Sequence, residues 1–415
     1  MKLSEELQKR GFVFQHTSET LEEIFDAGAT RTVYLGIDPT ADSMHVGHLV
    51  PYMMLNHIMQ AGHKVIVLMG GGTALIGDPS FKEQERDIAS IDTISEQCKG
   101  LEKNIRRITT SDEIAFVNNY DWLSKLSAIE FLRDVGKHFT VNNMIKKESV
   151  ARRFETEQGI SYTEFSYSLL QGYDFYHLNQ TYGCDVQIGG SDQWGNIIAG
   201  VDYTRRRTGA EVFALTMPLI VDKATGKKFG KSEGNAVWLD ADKTSVYQFY
   251  QFWVNTSDES VIDYLKLFTF MPLDEIAAVA IEAEQDLGSR LGQKRLAFEV
   301  TSFIHGEEAA KRAREVSDIL FGEGDITALD EEGTHILLQN APHQEVAEGT
   351  PLVDVLVDSG LATSKREART FIESGAVTLG TQKVTGLEIV LSAHDHGPLV
   401  PLRRGKKQFC VLTFK

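Results

Sequence analysis

The stretch "RTVYLGIDPTADSMHVGHLVPYMMLNHIMQAGHKVIVLMG" (residues 31–70) has two apolar, β-branched runs on either side of a segment whose apolar residues follow helical spacing. We predict strands at 31–37 and 64–70, and between them a helix that stops at Gly62. Pro51 falls near the first helical turn, where its missing N–H costs least. Strand, helix and strand in this order form a βαβ unit, so we predict an α/β domain with a parallel sheet.

The composition indicates the compartment in which the chain works. Its 415 residues are 42% hydrophobic and carry a net charge of −17. The sequence contains neither a membrane-length apolar run nor the apolar core of a signal peptide, so we expect a cytoplasmic protein. Cys98, Cys184 and Cys410 lie far apart in the sequence, which predicts neither disulfides nor a zinc site and is typical of a reducing compartment.

Charge is distributed unevenly along the chain. Residues 351–415 hold nine Lys and Arg against six acids, whereas residues 316–350 hold eight acids and no Lys or Arg. A basic module can bind RNA through local phosphate contacts even when the whole chain is acidic. We predict an α/β domain at 1–225, an α-helical domain at 226–320, an acidic linker at 321–350 that acts as a flexible tether, and a small basic domain at 351–415.

Two histidines, His45 and His48, stand in the first turn of the predicted helix. Unpaired backbone N–H groups and the helix dipole attract anions there, and both imidazoles can donate to phosphate oxygens. Gly47 between them would let a flat ligand approach the backbone. Surface histidines on a capped helix explain the same spacing, whereas a metal pair lacks a third ligand nearby in the sequence.

A second polar segment, "KKFGKSEGNAVWLD" (227–240), is rich in Gly, Lys and Ser and has little apolar periodicity. Lys228 and Lys231 flank Phe229 and Gly230, so a loop here could bring positive charge to a polyphosphate during a reaction. Taken alone, the segment is more typical of an ordinary solvated loop.

Together, HVGH and KFGKS resemble the two signature sequences of class I aminoacyl-tRNA synthetases, and the Phe-Gly form of the second is similar to the bacterial tyrosyl-tRNA synthetase family. The resemblance extends over essentially the whole chain, through "GGGTALIGDPS", "SYTEFSYSLLQGYDFYHL" and "GGSDQWGN". It implies a Rossmann-like parallel-sheet catalytic domain, an α-helical domain and a small α+β S4-like RNA-binding domain. Some positions depart from the usual family residues, and we expect those departures to adjust ATP affinity only; they are Leu35, Pro51, Gly72 and Phe81.

The resemblance also implies how tyrosine binds. Tyr167, Gln171 and Asp174 are spaced four and three apart, which places them on one face of a helix; a solvated polar stripe is the alternative. A buried carboxylate that accepts a hydrogen bond from a phenol would be left unpaired by phenylalanine, and no inserted editing domain is visible. The implied contacts are Tyr167, Gln171 and Asp78 at the ammonium group, Tyr34 and Asp174 at the phenol, and Gln193 at the carboxylate.

ATP with Mg²⁺ is the implied second substrate, with no tightly bound cofactor and no metal cage in the protein. Phosphoryl-type transfer needs positioning and charge stabilisation more than a protein nucleophile. The implied ATP-binding residues are Gly36, Asp38, Thr40, His45, Gly47, His48, Gly190, Asp192, Lys228, Lys231 and Ser232. The implied catalytic set is His45, His48, Thr40, Lys228 and Lys231, assisted by Lys82 and Arg86.

The segment "GLATSKREARTFIESGAVTLGTQKV", followed by "LRRGKK", resembles the S4 RNA-binding fold; a basic solvated helix is the alternative. The resemblance implies a homodimer, for which residues 128–145 are a plausible apolar interface. The implied tRNA-binding residues are Lys365, Arg366, Arg369, Arg403, Arg404, Lys406 and Lys407.

Three rival functions stay open at the level of sequence. They are a tryptophanyl-type synthetase, a small-molecule nucleotidylyltransferase that shares the HxGH motif, and a non-catalytic RNA-binding relative. Asp174 and the S4-like tail argue against a tryptophanyl-type synthetase. The KFGKS segment argues against a small-molecule nucleotidylyltransferase. The presence of His45, His48 and both loop lysines argues against the third.

Overall fold

The structure is a computed structural model, which describes the chain except residues 81–88, 112, 148–149, 152, 154–158, 222, 224–225, 227–228, 233–234, 322–323 and 406–407; at 231, 232 and 235 it describes the backbone only. The chain forms two compact units, which are residues 1–244 with 255–296 and residues 245–254 with 297–415. These limits differ from the predicted boundaries at 225 and 320. Within the described part of the chain, no helix is long and apolar enough to cross a membrane.

The first unit contains a six-stranded sheet in the order β1-β6-β5-β2-β3-β4, with strands numbered along the chain. All neighbours are parallel except β1 and β6. The predicted strands at 31–37 and 64–70 are β2 and β3 at its centre, which confirms the α/β parallel-sheet prediction. The strands are β1 (Gln15–His16), β2 (Thr32–Ile37), β3 (Lys64–Met69), β4 (Ala115–Asn118), β5 (Val186–Gly190) and β6 (Phe213–Met217).

The predicted crossover helix between β2 and β3 is also present. A 3₁₀ turn at Val46–His48 leads into the helix Leu49–Gln60, with Pro51 in its first turn and Gly62 beyond its end in a left-handed conformation at φ +88°. Further helices in this unit are Leu3–Arg10, Leu21–Phe25, Ile91–Arg107, Tyr120–Leu123, Ala128–Glu130, Val141–Ile145, Tyr162–Tyr182, Trp194–Thr208, Val261–Phe268 and Leu273–Gln285. The unit boundary falls inside the helix Leu291–His305.

The helix Tyr162–Tyr182 carries half of the predicted amino-acid contacts, namely Tyr167, Gln171 and Asp174. The Ser161 side chain caps it by accepting from the backbone N–H of Glu164, and Gly183 ends it in a left-handed conformation at φ 65°. Its buried face includes Phe175 and Leu178, which join Tyr34 and Ile66 of the sheet in one apolar core. This packing fixes the position of the helix against the sheet, and with it the positions of the polar residues on the helix.

The second unit contains a five-stranded sheet in the order β12-β11-β14-β15-β9 and has its own apolar core. The paired helices Leu352–Asp358 and Lys365–Glu373 contribute Leu352, Leu356 and Ile372 to that core. This α+β arrangement agrees with the predicted S4-like domain. The sheet strands are β9 (His343–Val346), β11 (Val377–Leu379), β12 (Gln382–Val384), β14 (Leu399–Arg404) and β15 (Gln408–Phe414). Other elements of the chain are the strand pairs β7 (Lys231–Ser232) with β8 (Asn235–Ala236) and β10 (Thr350–Pro351) with β13 (Val390–Leu391), and the helices Val246–Val254, Glu307–Phe321 and Glu331–Asn340.

The prediction of a flexible acidic tether at 321–350 is corrected by the structure. Residues 331–340 form a helix, and β9 pairs in parallel with β15. Asp330 caps that helix, with its carboxylate accepting from the Gly333 N–H at 2.7 Å, and Glu331 and Glu332 occupy the first turn. Acids at a helix amino terminus stabilise the helix through its dipole, so here an acidic run marks a helix start.

Candidate active site

A cavity of about 390 Å³ opens at the carboxyl ends of β2 and β5. The strand order reverses at β2, which has β3 on one side and β5 on the other, and such switch points create the binding crevice of open α/β sheets. Leu35 and Pro51, two of the departures from the family pattern, line this cavity. The predicted site residues that line it are Tyr34, Gly36, Asp38, Thr40, His48, Asp78, Tyr167, Gln171, Asp174, Gly190, Asp192 and Gln193.

Asp174 lies at the dry end of the cavity, with only 1% of its surface exposed. Its Oδ1 accepts from the indole Nε1–H of Trp122 at 2.7 Å, and its Oδ2 accepts from Nδ2 of Asn119 at 2.9 Å. Burial raises the pKa of Asp174 to about 7, although these two hydrogen bonds favour the ionised form. The carboxylate is held in place but poorly solvated, so a further donor from a ligand would stabilise its charge.

Tyr34 completes this end of the cavity. Its ring is fully buried, and its hydroxyl group has no hydrogen-bond partner among the described residues. Burial and the charge of Asp174 raise the pKa of Tyr34 well above its usual value, so the hydroxyl is protonated. A buried hydroxyl without a partner is costly, and a polar ligand atom would remove that cost.

Asn119 and Trp122, which hold Asp174, were not among the predicted site residues. Besides Asp174, Asn119 accepts from the Gly72 N–H at 2.7 Å and donates to Oγ1 of Thr73 at 3.0 Å. The sequence did contain a usable signal, because Asn119 directly follows β4 and polar residues at the carboxyl ends of parallel strands gather at the binding edge.

Hydrogen bonds also order the other side of the cavity. The Tyr167 hydroxyl donates to Asp38 at 2.8 Å, and Nε2 of Gln193 donates to Asp78 at 2.7 Å. The buried Oε1 of Gln171 has no hydrogen-bond partner among the described residues, so it can accept from a ligand donor. Carboxylates and amide or hydroxyl oxygens that converge on one space are suited to an ammonium group.

The two histidines of HVGH form a stacked pair, with ring centroids 3.9 Å apart. Nδ1 of His45 accepts from the Gly47 N–H at 3.1 Å, and Nδ1 of His48 accepts from the His45 N–H at 3.3 Å. A neutral imidazole that accepts at Nδ1 carries its proton on Nε2, so both rings are donors at Nε2. Both rings therefore have the N–H donor at Nε2 that the predicted phosphate contacts require.

The two signature segments touch each other through a pair of glycines. Gly230 has φ +95°, and a Cβ atom there would lie 2.9 Å from the backbone nitrogen of Gly47. Phe229 anchors the second segment by packing its ring against Tyr264 and Phe268. Of the other predicted residues, Lys82, Arg86 and Lys228 lie outside the described residues, and only the backbone of Lys231 and Ser232 is described.

The predicted tRNA-binding cations have different surroundings within the second unit. Arg366 and Arg369 are exposed one turn apart on the helix Lys365–Glu373, and Lys365 forms an ion pair with Asp354 at 2.7 Å. The guanidinium of Arg403 lies 4.3 Å from the Phe409 ring centroid and donates to the carbonyl of Ile319, so this arginine also supports the fold of the unit. Arg404 lies over the ring of Phe371, and Lys406 and Lys407 are outside the described residues.

The parallel sheet, the crevice at the switch point and the touching signature segments define a class I aminoacyl-tRNA synthetase. Two family models match the chain: tRNA synthetases class I (W and Y) over residues 27–322, and the tyrosine–tRNA ligase SYY-like C-terminal domain over residues 334–412. The first spans more than half of the chain and includes the whole cavity.

Individual relatives narrow this class. The chain is 47% identical to a tyrosine–tRNA ligase of Streptococcus mutans over the full length of both, and 48% identical to tyrosine–tRNA ligase 2 of Enterococcus faecalis over 99% of each. The chain belongs to the tyrosine–tRNA ligase family.

Among solved structures, the chain is similar to a C-terminally truncated mitochondrial tyrosyl-tRNA synthetase of Aspergillus nidulans. The TM-score is 0.70 at 31% identity, over 77% of this chain and 94% of that one. A tryptophanyl-tRNA synthetase of Plasmodium falciparum has a TM-score of 0.55 at 14% identity, over 80% and 87% of the two chains, which shows a shared fold only.

Proposed function

We propose that the chain is an ATP-dependent tyrosine–tRNA ligase. It joins tyrosine to ATP to give tyrosyl-adenylate and pyrophosphate, and then transfers the tyrosyl group to the 3′ end of the tRNA for tyrosine. The full-length identity to tyrosine–tRNA ligases supports this over the three rival functions. The structural observation that carries it is the buried Asp174, held by two side-chain donors beside the unpaired hydroxyl of Tyr34.

A phenol matches both groups at the dry end of the cavity. The hydroxyl of a bound tyrosine would donate to the Asp174 carboxylate and accept from Tyr34, which satisfies both protein groups at once. Phenylalanine would displace water from the same space, leave the Tyr34 hydroxyl without a partner and leave the Asp174 charge with only the donors of Trp122 and Asn119. This cost exceeds the effect of one missing methylene. The ammonium group would meet Asp78, Tyr167 and Gln171 at the opposite side of the cavity.

Activation then requires positioning and charge rather than a protein nucleophile. The tyrosine carboxylate, oriented by Gln193, attacks the α-phosphorus of ATP in line, and pyrophosphate leaves. Asp192, Gly190 and Gly36 hold the nucleoside, and Gly47 and His48 lie against its ribose or adenine. The residues that stabilise the developing charge are Thr40, His45, Lys228 and Lys231, assisted by Lys82 and Arg86, and Ser232 contributes to ATP binding. The hydrogen bonds of Asp38 to Tyr167 and Thr73 give it a role in orienting this site.

The phosphates of ATP would bring Mg²⁺ to the site, where it would offset their negative charge. Mg²⁺ typically combines one or two carboxylates with substrate phosphates and water rather than a protein cage. Asp38, Asp78 and Asp192 line the cavity, so carboxylate oxygens of the type that Mg²⁺ binds would be available there.

The remaining assignments concern assembly, tRNA and compartment. Four exposed apolar side chains, Ile129, Leu132, Val141 and Ile145, lie within residues 128–145, which supports a homodimer formed through this segment. The exposed cations of the helix Lys365–Glu373 support tRNA binding by the second unit. All three cysteines are buried thiols, which supports a reducing cytoplasmic setting.

A single assay tests the proposed activity. Purified full-length protein should catalyse ATP–pyrophosphate exchange that depends on tyrosine, and not on tryptophan or phenylalanine, and should then charge tRNA with tyrosine. Exchange that depends on tryptophan would favour the tryptophanyl-type enzyme. A product formed without tRNA or amino acid would favour a nucleotidylyltransferase, and RNA binding without any exchange would favour a non-catalytic relative.

A further inference from the structure

A row of packed side chains leads from the surface to the histidine pair. Lys243 forms an ion pair with Asp42, and its ammonium group lies 5.1 Å from the ring centroid of Trp238. Trp238 meets the ring of His45 edge-on, with centroids 6.0 Å apart at 68°. His45 in turn stacks on His48, which lines the cavity. Four contacts therefore connect an exposed carboxylate with the predicted phosphate-binding donors.

The main chain fixes the backbone of this region. Residues 44–46 run antiparallel to residues 237–239, with a bridge between His45 and Trp238. The Val46 N–H donates to the Val237 carbonyl at 2.9 Å, and the Leu239 N–H donates to the Met44 carbonyl at 2.8 Å. These bonds place the Cα atom of His45, and the Gly47 N–H bond to Nδ1 directs one edge of its ring. The groups that pack against the ring limit its remaining rotation.

We propose that Trp238 and Lys243 are positioning residues that orient the His45 imidazole toward the phosphates of ATP. The inference rests on the proposed function, because it assigns His45 to the leaving polyphosphate. The stack on His48 and the edge of Trp238 confine the His45 ring on two sides, so that its Nε2–H keeps one direction. Lys243 and Asp42 confine the indole of Trp238 in the same manner. The Lys243 ammonium group contacts the indole ring, and Asp42 holds that ammonium group in place.

This role differs from a general contribution to stability. The side chains of Lys243 and Asp42 are 33% and 62% exposed, and ion pairs at such positions contribute little to folding. A reaction that needs donors at the transition state is more sensitive, since a small misplacement of such a group lowers the rate without weakening the ground-state complex. The signature of a positioning role is therefore a lower kcat with an unchanged KM for tyrosine.

The test compares variants by tyrosine-dependent pyrophosphate exchange and by stopped-flow formation of tyrosyl-adenylate. Trp238→Leu should lower the activation rate by about tenfold or more, and Lys243→Met by several-fold, with the KM for tyrosine within about twofold of wild type. Trp238→Phe keeps an aromatic ring against His45 and under Lys243, so it should recover most of the rate. Asp42→Asn combined with Lys243→Met should be no slower than Lys243→Met alone, because both act through the indole.

The matched control is Lys9→Met, which removes an exposed lysine from the ion pair with Glu5 on the helix Leu3–Arg10. It should have wild-type kinetics and the same melting temperature as Lys243→Met. Unchanged activation rates in Lys243→Met and in Trp238→Leu would overturn the proposal. If Trp238→Leu fails to fold, Lys243→Met and Trp238→Phe decide it. Absence of exchange in the wild-type protein would instead refute the proposed function.

Discussion

The two units of this protein differ in the surroundings of their charges of interest. The first unit encloses some of its charges: Asp174 is 1% exposed, and both side chains of the ion pair of Arg153 with Glu164 are 3% exposed. The second unit presents Arg366 and Arg369 at its surface. A buried charge needs a partner of matching shape and chemistry, whereas an exposed charge accepts any phosphate within reach. We therefore expect the first unit to discriminate between amino acids and the second to contribute affinity for a polyanion.

The largest expected effect is at the buried carboxylate. Asp174→Asn keeps the shape of the side chain but turns one oxygen into an NH₂ group, which then faces the donor of Trp122 or Asn119. We expect kcat/KM for tyrosine in pyrophosphate exchange to fall by about 10²-fold or more, with a smaller loss for phenylalanine, so that discrimination narrows. Exchange kinetics with both amino acids measure this.

The control for that variant is the same substitution at an exposed position in the first unit. Asp274 lies in the first turn of the helix Leu273–Gln285 and is exposed, so Asp274→Asn should leave both rates at the wild-type level. Wild-type selectivity in Asp174→Asn would show that the buried carboxylate does not select tyrosine.

A fall in pH should have an intermediate effect on the affinity for tyrosine. The pKa of Asp174 in the unliganded protein is raised to about 7 by burial, and a phenol that donates a hydrogen bond prefers the ionised carboxylate. Tyrosine affinity should therefore be near its maximum at about pH 8, where the ligand still carries its ammonium group, and should weaken as pH falls through 7, by roughly tenfold between pH 8 and pH 6. Equilibrium dialysis of tyrosine without ATP avoids any contribution from phosphate binding at His45 and His48.

Two variants separate Asp174 from other groups that titrate. Tyr34→Phe removes the second phenol contact but keeps the carboxylate, so it should bind tyrosine more weakly with the same pH dependence. Asp174→Asn should lose the dependence. A pH-independent affinity in the wild-type protein would mean that Asp174 is ionised throughout this range or does not contact the phenol.

The sequence was sufficient for the parts of this molecule that follow from periodicity and from local chemistry. The strands flanking HVGH, the helix carrying Tyr167, Gln171 and Asp174, and the fold class all follow from spacing or from resemblance. Asn119 and Trp122 did not, because their role arises only when β4 brings the chain beside a helix some fifty residues later. For Asn119 the one available signal is its position directly after β4, whereas the spacing around Trp122 gives no sign of its hydrogen bond to Asp174.

The acidic segment shows a different limit of sequence reasoning. Composition favoured a tether at 321–350, but Leu337 is fully buried and β9 completes the sheet of the second unit. A consequence is that deletion of residues 351–415 would remove the strand that pairs with β9 and would expose apolar surface. Charge removal on the helix Lys365–Glu373 is therefore a cleaner way to test tRNA binding than truncation.

The smallest expected effects are at those exposed cations. Arg366→Ala and Arg369→Ala should each weaken tRNA binding by about threefold to tenfold and lower the slope of log affinity against log salt by about one, because each removes one phosphate contact. Pyrophosphate exchange should be unchanged, since it needs no tRNA. Lys415→Ala is the matched control, because it removes another exposed cation, paired with Glu345, from the same unit. Equal losses in Lys415→Ala and Arg366→Ala would mean that only net charge matters.

Arg403→Ala should instead lower the melting temperature, because Arg403 packs on Phe409 and donates to a carbonyl within the fold.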